Sequence, residues 1–173
     1  MNLNDTKTIE ADRATVWSAL LDPQVLKACV PGCQEMTGSP AEGFEAVVVQ
    51  KVGPVKATFK GAVELSDMVE PESLTISGEG KGGAAGFAKG GAKVRLEERG
   101  EQTILHYEVD AKVGGKLAQL GSRIIDGFAK KMADQFFENF KDALGGHADD
   151  DASASQVDIT DQKKGWFRRL VKS

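Results

Sequence analysis

Histidine and cysteine are scarce in this 173-residue sequence, which contains two of each. Cys29 and Cys33 have three residues between them, and His106 and His147 are far from both along the chain. Zinc and similar metals need several such ligands at close spacing, so the sequence predicts no metal site. Small buried thiols are the favoured interpretation of the two cysteines.

The sequence also lacks any apolar run near the ~20 residues that a membrane-spanning helix needs. Its first residues, MNLNDTKTIEADR, contain no hydrophobic segment typical of a secretory signal. We therefore expect reduced thiols and a cytoplasmic location. The formal net charge of −4, with no basic and aromatic patch in residues 1–144, argues against nucleic-acid binding.

Catalytic and nucleotide-binding motifs are missing as well. Seven glycines lie between Gly78 and Gly91, and three of them satisfy G-x-G-x-x-G, but another strand rather than a helix is predicted to follow. A mobile hairpin or a gate is the favoured interpretation. His106, Glu108 and Asp110 share one face of a predicted strand whose other face is apolar, so we expect them in water. No catalytic residue is predicted.

What the sequence does have is one long amphipathic stretch, from Lys116 to Leu144, flanked by glycine pairs. Its apolar residues recur every three or four positions, which is the spacing of one helical face. This stripe consists of Leu117, Leu120, Ile124, Phe128, Met132, Phe136, Phe140 and Leu144, widened by Ile125, Ala129 and Phe137. One helix of this length would span ~43 Å and needs a surface on which to bury its apolar face.

Between residues 44 and 111, apolar and polar residues alternate in five runs, the period of strands with one covered face. Turn sequences such as Gly53-Pro54 separate the runs. Residues 2–9 predict a further strand, and Asp12 and Asp22-Pro23 are typical starts of two short helices. The order is a strand, two helices, a meander of about six strands and the long helix. The predicted fold class is α+β, with an antiparallel sheet curved around the C-terminal helix.

The interface between that sheet and the long helix has two interpretations. Most such interfaces are close-packed cores, and the pattern alone favours this one. The alternative is a cavity for an apolar ligand between helix and sheet.

The C-terminal region differs in composition from the rest of the chain. Residues 145–162 contain five aspartates and no lysine or arginine, which predicts a disordered acidic linker after a domain of residues 1–144. Residues 163–173 predict a short basic amphipathic helix, and the favoured interpretation is an anchor at an anionic membrane surface. Its predicted membrane-binding residues are Lys163, Lys164, Trp166, Phe167, Arg168, Arg169, Leu170, Val171 and Lys172. A peptide that docks on a protein partner, or one that folds back on the linker, are the alternatives.

Three segments carry a family resemblance: VWSALLDPQVLKACVPGCQ (Val16 to Gln34), VGPVKATFKG (Val52 to Gly61) and VGGKLAQLGSRII (Val113 to Ile125). With them, residues 2 to about 144 resemble the CoxG family, named for the G subunit of carbon monoxide dehydrogenase. That family belongs to the SRPBCC, or START-like, helix-grip superfamily, so the resemblance implies a curved sheet gripping a long helix. It also favours a buried apolar ligand over a solid core.

The resemblance further implies a partner and a ligand. Members of the family accompany molybdenum-containing CO dehydrogenases or related molybdenum hydroxylases, and are thought to recruit the enzyme to the inner face of the cytoplasmic membrane and serve electron transfer to quinone. The implied ligand is menaquinone, ubiquinone or another lipid, with no covalent cofactor. The cavity positions matched by element are Phe59, Val63, Leu120, Ile124, Phe128 and Met132. We extend this predicted lining along the same strands and helix to Val48, Gly61, Leu65, Leu117 and Phe136.

Two further functions remain open. A small cyclase or hydrolase of the same fold would need polar groups in the cavity, for which Gln50, Lys56 and Tyr107 are the few candidates. A maturation factor for the dehydrogenase would use the terminal peptide to dock on the enzyme.

Overall fold

One antiparallel sheet of seven strands dominates the computed structural model, which describes residues 1–145. The strands are β1 (Asn2–Ile9), β2 (Cys33–Ser39), β3 (Gly43–Val52), β4 (Val55–Val69), β5 (Ser73–Lys81), β6 (Phe87–Arg99) and β7 (Gln102–Gly114). Their spatial order is β1-β7-β6-β5-β4-β3-β2. The helices are α1 (Arg13–Leu20), α2 (Pro23–Cys29), α3 (Lys116–Gln119) and α4 (Ser122–Ala143). Apart from Gly145, the predicted linker (145–162) and terminal peptide (163–173) lie outside the described residues.

The two short helices begin where the sequence predicts. The Asp12 carboxylate accepts from the Thr15 backbone N–H at 3.4 Å and caps α1. The Asp22 carboxylate accepts from the Gln24 N–H at 2.8 Å, and Pro23 occupies the first turn of α2. The predicted order of elements, and with it the α+β fold class, is confirmed.

The prediction of one unbroken helix from Lys116 to Leu144 is wrong at Leu120 and Gly121, where the helix is interrupted. Gly121 has a φ of 89°, outside the right-handed helical region, and it separates the one-turn helix α3 from α4. The break lets α3 turn away from the α4 axis, so that Leu117 packs with Val52 and Ile125 in a small buried cluster.

The main hydrophobic core lies at the other end of α4. There Phe137 and Phe140 pack with β1, α1 and the large residues of β5, β6 and β7. The ring of Phe137 stacks on Tyr107 with centroids 5.3 Å apart. The Asn139 amide donates to the Cys29 carbonyl at 2.9 Å and ties α4 to α2. The most buried line on α4 therefore runs through Ile125, Phe137 and Phe140, along the widened side of the predicted stripe.

The two ends of α4 are expected to respond differently to truncation of a phenylalanine. Phe140 is fully buried, so Phe140→Ala should lower the free energy of unfolding by about 3–5 kcal/mol. Phe128 is half-buried, so Phe128→Ala should cost less than about 2 kcal/mol. Denaturant titration followed by circular dichroism measures both values, and equal losses would contradict this division of the helix.

The two cysteines occupy different environments. Cys29 is fully buried, as predicted, whereas Cys33 is half-exposed at the start of β2, so the prediction of two buried thiols holds for Cys29 only. The Cys33 thiol donates to the Glu35 carbonyl at 3.2 Å. Burial raises the pKa of Cys29 to about 12.

This difference predicts selective alkylation. With a pKa of about 12, Cys29 holds about a thousandfold less thiolate than an ordinary thiol near pH 8. Maleimide should therefore label Cys33 in the native protein and leave Cys29 unmodified until the protein is denatured. Peptide mass spectrometry after timed quenching measures both sites, and early labelling of Cys29 would contradict its burial.

Candidate ligand-binding cavity

The inner face of the sheet carries a band of glycines and alanines at its centre. Strand register places these residues in adjoining rows across β3 to β7. The band, called the floor from here on, consists of Ala46, Gly61, Gly78, Gly80, Ala88, Gly90, Ala92 and Ala111. All of them are half-buried. Large inward-facing residues flank the floor at both ends, so α4 rests on those flanks rather than on the floor.

The backbone of α4 crosses over the curved sheet from one side to the other. It comes close to β1 on one side and β3 on the other rather than to the central strands β4, β5 and β6. Gly80, on β5 in the middle of the floor, shows the consequence directly. A Cβ atom built on Gly80 would meet no described atom within 4 Å. The space above this part of the sheet is open among residues 1–145.

Residues of α4 that face the sheet over the floor are only half-buried. Phe128 and Met132 keep part of their surface accessible, as do Val63 and Leu65 on β4. An interior filled by its own side chains would leave inward-facing residues with little accessible surface. Leu65 packs against the main core and Phe128 against the small cluster beside α3, so the gap between helix and sheet is the space above Gly80 between these two packed regions.

The predicted lining residues fall into three groups in the structure. The largest group is half-buried and comprises Val48, Phe59, Gly61, Val63, Leu65, Leu120, Phe128, Met132 and Phe136. Of these, Leu65 and Phe136 pack against the main core, and Phe59, Leu120 and Phe128 against the small cluster beside α3. Leu117 is instead fully enclosed by protein in the small cluster beside α3. Ile124 is 41% exposed and lies at the rim, where its side chain approaches Gly53 in the β3–β4 turn.

The end of the gap near α3, called the cavity end from here on, is bordered by two hairpin connections and the helix break. The β3–β4 turn meets Leu120 and Ile124, and the ring of Phe59 lies against Gly82 in the β5–β6 connection. That connection also packs against Gly115, where a Cβ would stand 2.7 Å from the Gly86 Cα. The close approach requires glycine at this point.

A cleft of about 560 Å³ opens beside the helix break at the cavity end. Its walls include Met1, Ala111, Val113, Ala118, Ser122 and Ile125. Ala111 belongs to the floor and Val113 continues the same inward row of β7. The cleft is therefore a side opening toward the inner face of the sheet.

A known protein family matches nearly all of the residues that the structure describes. The model of the family CoxG, the G subunit of carbon monoxide dehydrogenase, matches residues 6–145, which include all of the described structure except its first five residues. The chain belongs to the CoxG family. Among curated proteins, none matches the sequence.

Several solved structures share the fold of this CoxG family member. A conserved protein from Geobacillus kaustophilus is 28% identical, with a TM-score of 0.79, over 85% of this chain and 97% of that one. A START superfamily protein from Mycobacterium smegmatis is 13% identical, with a TM-score of 0.64, over 84% and 97%. A protein from Mesorhizobium loti is 15% identical, with a TM-score of 0.62, over 84% and 98%. The START-like fold is thereby confirmed.

In this CoxG protein, charged groups at the β1 side of the gap join helix to sheet. The Lys7 ammonium donates to the Asp134 carboxylate at 2.8 Å, and Lys130 donates to the same carboxylate at 2.9 Å. The hydrogen bond from Lys7, and to a smaller extent that from Lys130, holds the pKa of Asp134 below its usual value. The hydrogen bond to Asp134 raises the pKa of Lys7. Both groups therefore stay charged near neutral pH and fasten α4 over β1.

The polar candidates for catalysis are not brought together. Gln50 faces inward on β3 and its amide donates to the Pro31 carbonyl, whereas Tyr107 faces inward on β7, with three strands between them in the sheet. Lys56 is exposed and points outward, opposite Lys51, which corrects its assignment to the interior. Burial, above all, raises the pKa of Tyr107, so its hydroxyl keeps its proton at neutral pH. His106 lies on the outer face, where it contacts Glu97 at 3.0 Å.

Residues 1–145 contain neither a candidate metal site nor a membrane-spanning helix. No group of three histidine, cysteine, aspartate or glutamate side chains in this range is placed to hold a metal ion. None of the helices in the same range has the length and apolarity to cross a bilayer.

Sequence reasoning missed most of the floor. Gly61, Gly78 and Gly80 can be recognised in the sequence as points where a sheet bends or something approaches the backbone, but nothing there connects them with Ala88 or Gly90. The connection requires the register of β5 with β6, which pairs Gly78 with Gly90 and Gly80 with Ala88. The only signal in the sequence is that small residues occupy inward positions in consecutive strands.

Proposed function

We propose that this protein is a non-catalytic carrier that holds a hydrophobic ligand between α4 and the sheet. The observation that carries the proposal is the open space above Gly80, together with the half-burial of Phe128 and Met132 on α4. Ligand sites in proteins are mostly apolar and concave, with few polar groups that fix orientation. The gap has this character, since its floor is glycine and alanine and its walls are aliphatic and aromatic.

The chemical class of ligand follows from the same surfaces. A long, flexible apolar chain would gain about 0.8 kcal/mol for each methylene removed from water, and no charged group of the floor opposes it. We propose a quinone with an isoprenoid tail, menaquinone or ubiquinone, or else another lipid. The side cleft beside Gly121 gives the ligand a route between the gap and the surroundings.

The family assignment supports a role beside an enzyme. The family is named for a component of carbon monoxide dehydrogenase. We propose that the protein recruits a molybdenum CO dehydrogenase, or a related molybdenum hydroxylase, to the inner face of the cytoplasmic membrane. By presenting the quinone to the enzyme, it would support electron transfer into the quinone pool. The terminal residues 163–173 would provide reversible attachment to anionic lipid.

Native mass spectrometry of the purified full-length protein tests the carrier role. We expect an adduct with the mass of a quinone or lipid, and organic extraction should release the same molecule. A protein that purifies without any adduct, and takes up no menaquinone or ubiquinone added from detergent-free dispersion, would overturn the proposal.

The same experiment separates the carrier from a small enzyme. A carrier returns the extracted ligand chemically unchanged after prolonged incubation, whereas a cyclase or hydrolase converts it. The separation of Gln50 from Tyr107 and the outward position of Lys56 favour the carrier.

A further inference from the structure

Exposed basic side chains cluster toward the cavity end of the molecule, six of them on the outer face of the sheet. They lie on β3, β4, β5, β6, β7, α3 and the start of α4, and all are exposed. This set, called the basic rim, consists of Lys51, Lys56, Lys60, Lys81, Lys89, Lys112, Lys116 and Arg123. Within three positions of these residues along the chain, the only acidic residues are Glu79, Asp110 and Asp126.

Six of these lysines stand directly opposite one another across the sheet. Lys51 pairs with Lys56, Lys60 with Lys81, and Lys89 with Lys112. Like charges in facing cross-strand positions repel and destabilise a sheet. Within residues 1–145, no ion pair to an acidic side chain is found for any member of the basic rim. Three such pairs concentrate positive charge at one end of the sheet. Glu79, which stands opposite Lys89, and the glutamates Glu35 and Glu45 that share a surface pocket with Lys60 and Lys81 offset this charge only in part.

Apolar groups are exposed at the same end. Phe87, at the start of β6, is 42% exposed, and Ile124, at the start of α4, is 41% exposed. Leu120 and Val55 are half-buried beside them. Exposed large apolar residues near lysines are a combination that binds lipid interfaces, with the apolar groups among the headgroups and the lysines at their phosphates.

The opposite end of the domain has the reverse charge. Its turns and strand ends carry Glu10, Asp12, Glu42, Asp67, Glu70, Glu72, Glu97, Glu98 and Glu101. The domain thus has a positively charged end, near the side cleft, and a negatively charged end opposite it. Near an anionic surface such a molecule is turned with its basic end toward that surface.

We propose that the basic rim docks the cavity end directly on an anionic lipid bilayer, so that the gap opens toward the membrane when ligand is exchanged. This docking surface belongs to the domain itself and is separate from the terminal peptide. The proposal rests on the proposed carrier function, because it assigns to the rim the transfer of ligand between bilayer and gap. Charge complementarity selects an anionic bilayer as the occupant, and the exposed Phe87 and Ile124 favour it over a purely polar surface.

A charge-reversal variant tests the rim without unfolding the domain. The variant Lys56→Glu, Lys81→Glu, Lys112→Glu changes each lysine pair into an opposite-charge pair, so its fold should be at least as stable. The matched control, Lys27→Glu, Arg95→Glu, Lys131→Glu, changes three exposed basic residues elsewhere and alters the net charge equally. Both are made in the full-length chain, which keeps the terminal peptide constant.

Hydrogen exchange with vesicles of phosphatidylglycerol and phosphatidylcholine gives the readout. We expect vesicles to slow exchange at least about threefold in segments 53–56, 82–89 and 115–124 of the wild-type and control proteins. In the rim variant this protection should be lost. Equal protection in the rim variant, or none of these segments protected in wild type, would overturn the proposal. Protection of the same segments by the molybdenum enzyme without lipid, and not by vesicles, would overturn it in favour of a protein partner.

Ligand transfer and ligand binding are then measured separately. Quinone transfer from anionic vesicles should slow about tenfold in the rim variant and stay unchanged in the control. Quinone uptake without vesicles should be the same in all three proteins. If no protein takes up quinone, the carrier function fails, whereas the exchange result still decides whether the rim docks on lipid.

Discussion

Replacing Gly80 with leucine is expected to abolish ligand uptake while leaving the domain folded. Gly80 lies at the centre of the floor, and a Cβ there would meet no described atom within 4 Å. A leucine side chain would project into the open space and occupy the volume that the ligand needs. We expect affinity for quinone or lipid to fall at least about a hundredfold, which corresponds to about 2.7 kcal/mol. Native mass spectrometry and a quinone titration measure the loss.

The stability of the Gly80→Leu protein should not fall with its affinity. Glycine inside a strand costs roughly 0.5–1 kcal/mol relative to residues with a side chain, and the new side chain buries apolar surface against Phe128 and Met132. We expect an unchanged or higher midpoint of unfolding in denaturant. A folded Gly80→Leu protein that binds ligand as wild type does would show that the ligand lies elsewhere.

A neighbouring position supplies the matched control. Glu79 is exposed on the outer face of the same strand, so Glu79→Leu adds the same side chain one residue away but outside the gap. Ligand binding should be unaffected by this change. Gly90 would be a poor substitute for Gly80, because a Cβ there would overlap the Asp110 carbonyl oxygen and damage the sheet itself.

The elements of the fold were predictable because local chemistry decides them. Alternation of apolar and polar residues marks β4 as far as Leu65, and the capping aspartates Asp12 and Asp22 begin α1 and α2 as expected. Each of these signals depends on residues within a few positions of one another. The pairing of β2 to β7 then follows from the meander, since consecutive strands pair with their neighbours, whereas β1 pairs with the last strand, β7.

The cavity was not predictable from the same patterns, because an empty space has no residues of its own. The spacing of apolar residues on α4 is the same whether the helix rests on a solid core or on a gap. The difference lies in the floor, where the register of four strand pairs brings small residues such as Gly61 and Gly80 side by side. The resemblance to a helix-grip family favoured the gap, and the open space above Gly80 is the physical feature that agrees with it.

Two local errors have equally physical causes. Helical spacing continues through Gly121, and only the φ of that residue ends α3; a lone glycine is compatible with either a helix or a break. The assignment of Lys56 to the interior neglects the alternation along β4, which puts this residue with Thr58 and Lys60 on the outer face. Strict use of the two-residue period removes Lys56 from the candidates.

Truncation after Gly146 is expected to cause the largest loss of membrane binding. It removes the acidic linker and the proposed anchor, including Trp166 and five basic side chains. Each basic residue near an anionic leaflet contributes about 1 kcal/mol, so loss of five should weaken the binding of phosphatidylglycerol vesicles by about 10³-fold or more. Co-sedimentation of full-length and truncated proteins with these vesicles measures the difference.

A weak residual affinity is expected to survive truncation, because the domain keeps its own basic rim around Lys56, Lys81 and Lys112. Raising the ionic strength should reduce that affinity further, since exposed charges are screened within about 10 Å at 0.1 M salt. An eighteen-residue linker has a root-mean-square reach of about 23 Å when flexible, so anchor and rim can contact one bilayer together and reinforce each other's binding. Equal binding of the full-length and truncated chains would remove the anchor and leave the rim as the membrane contact.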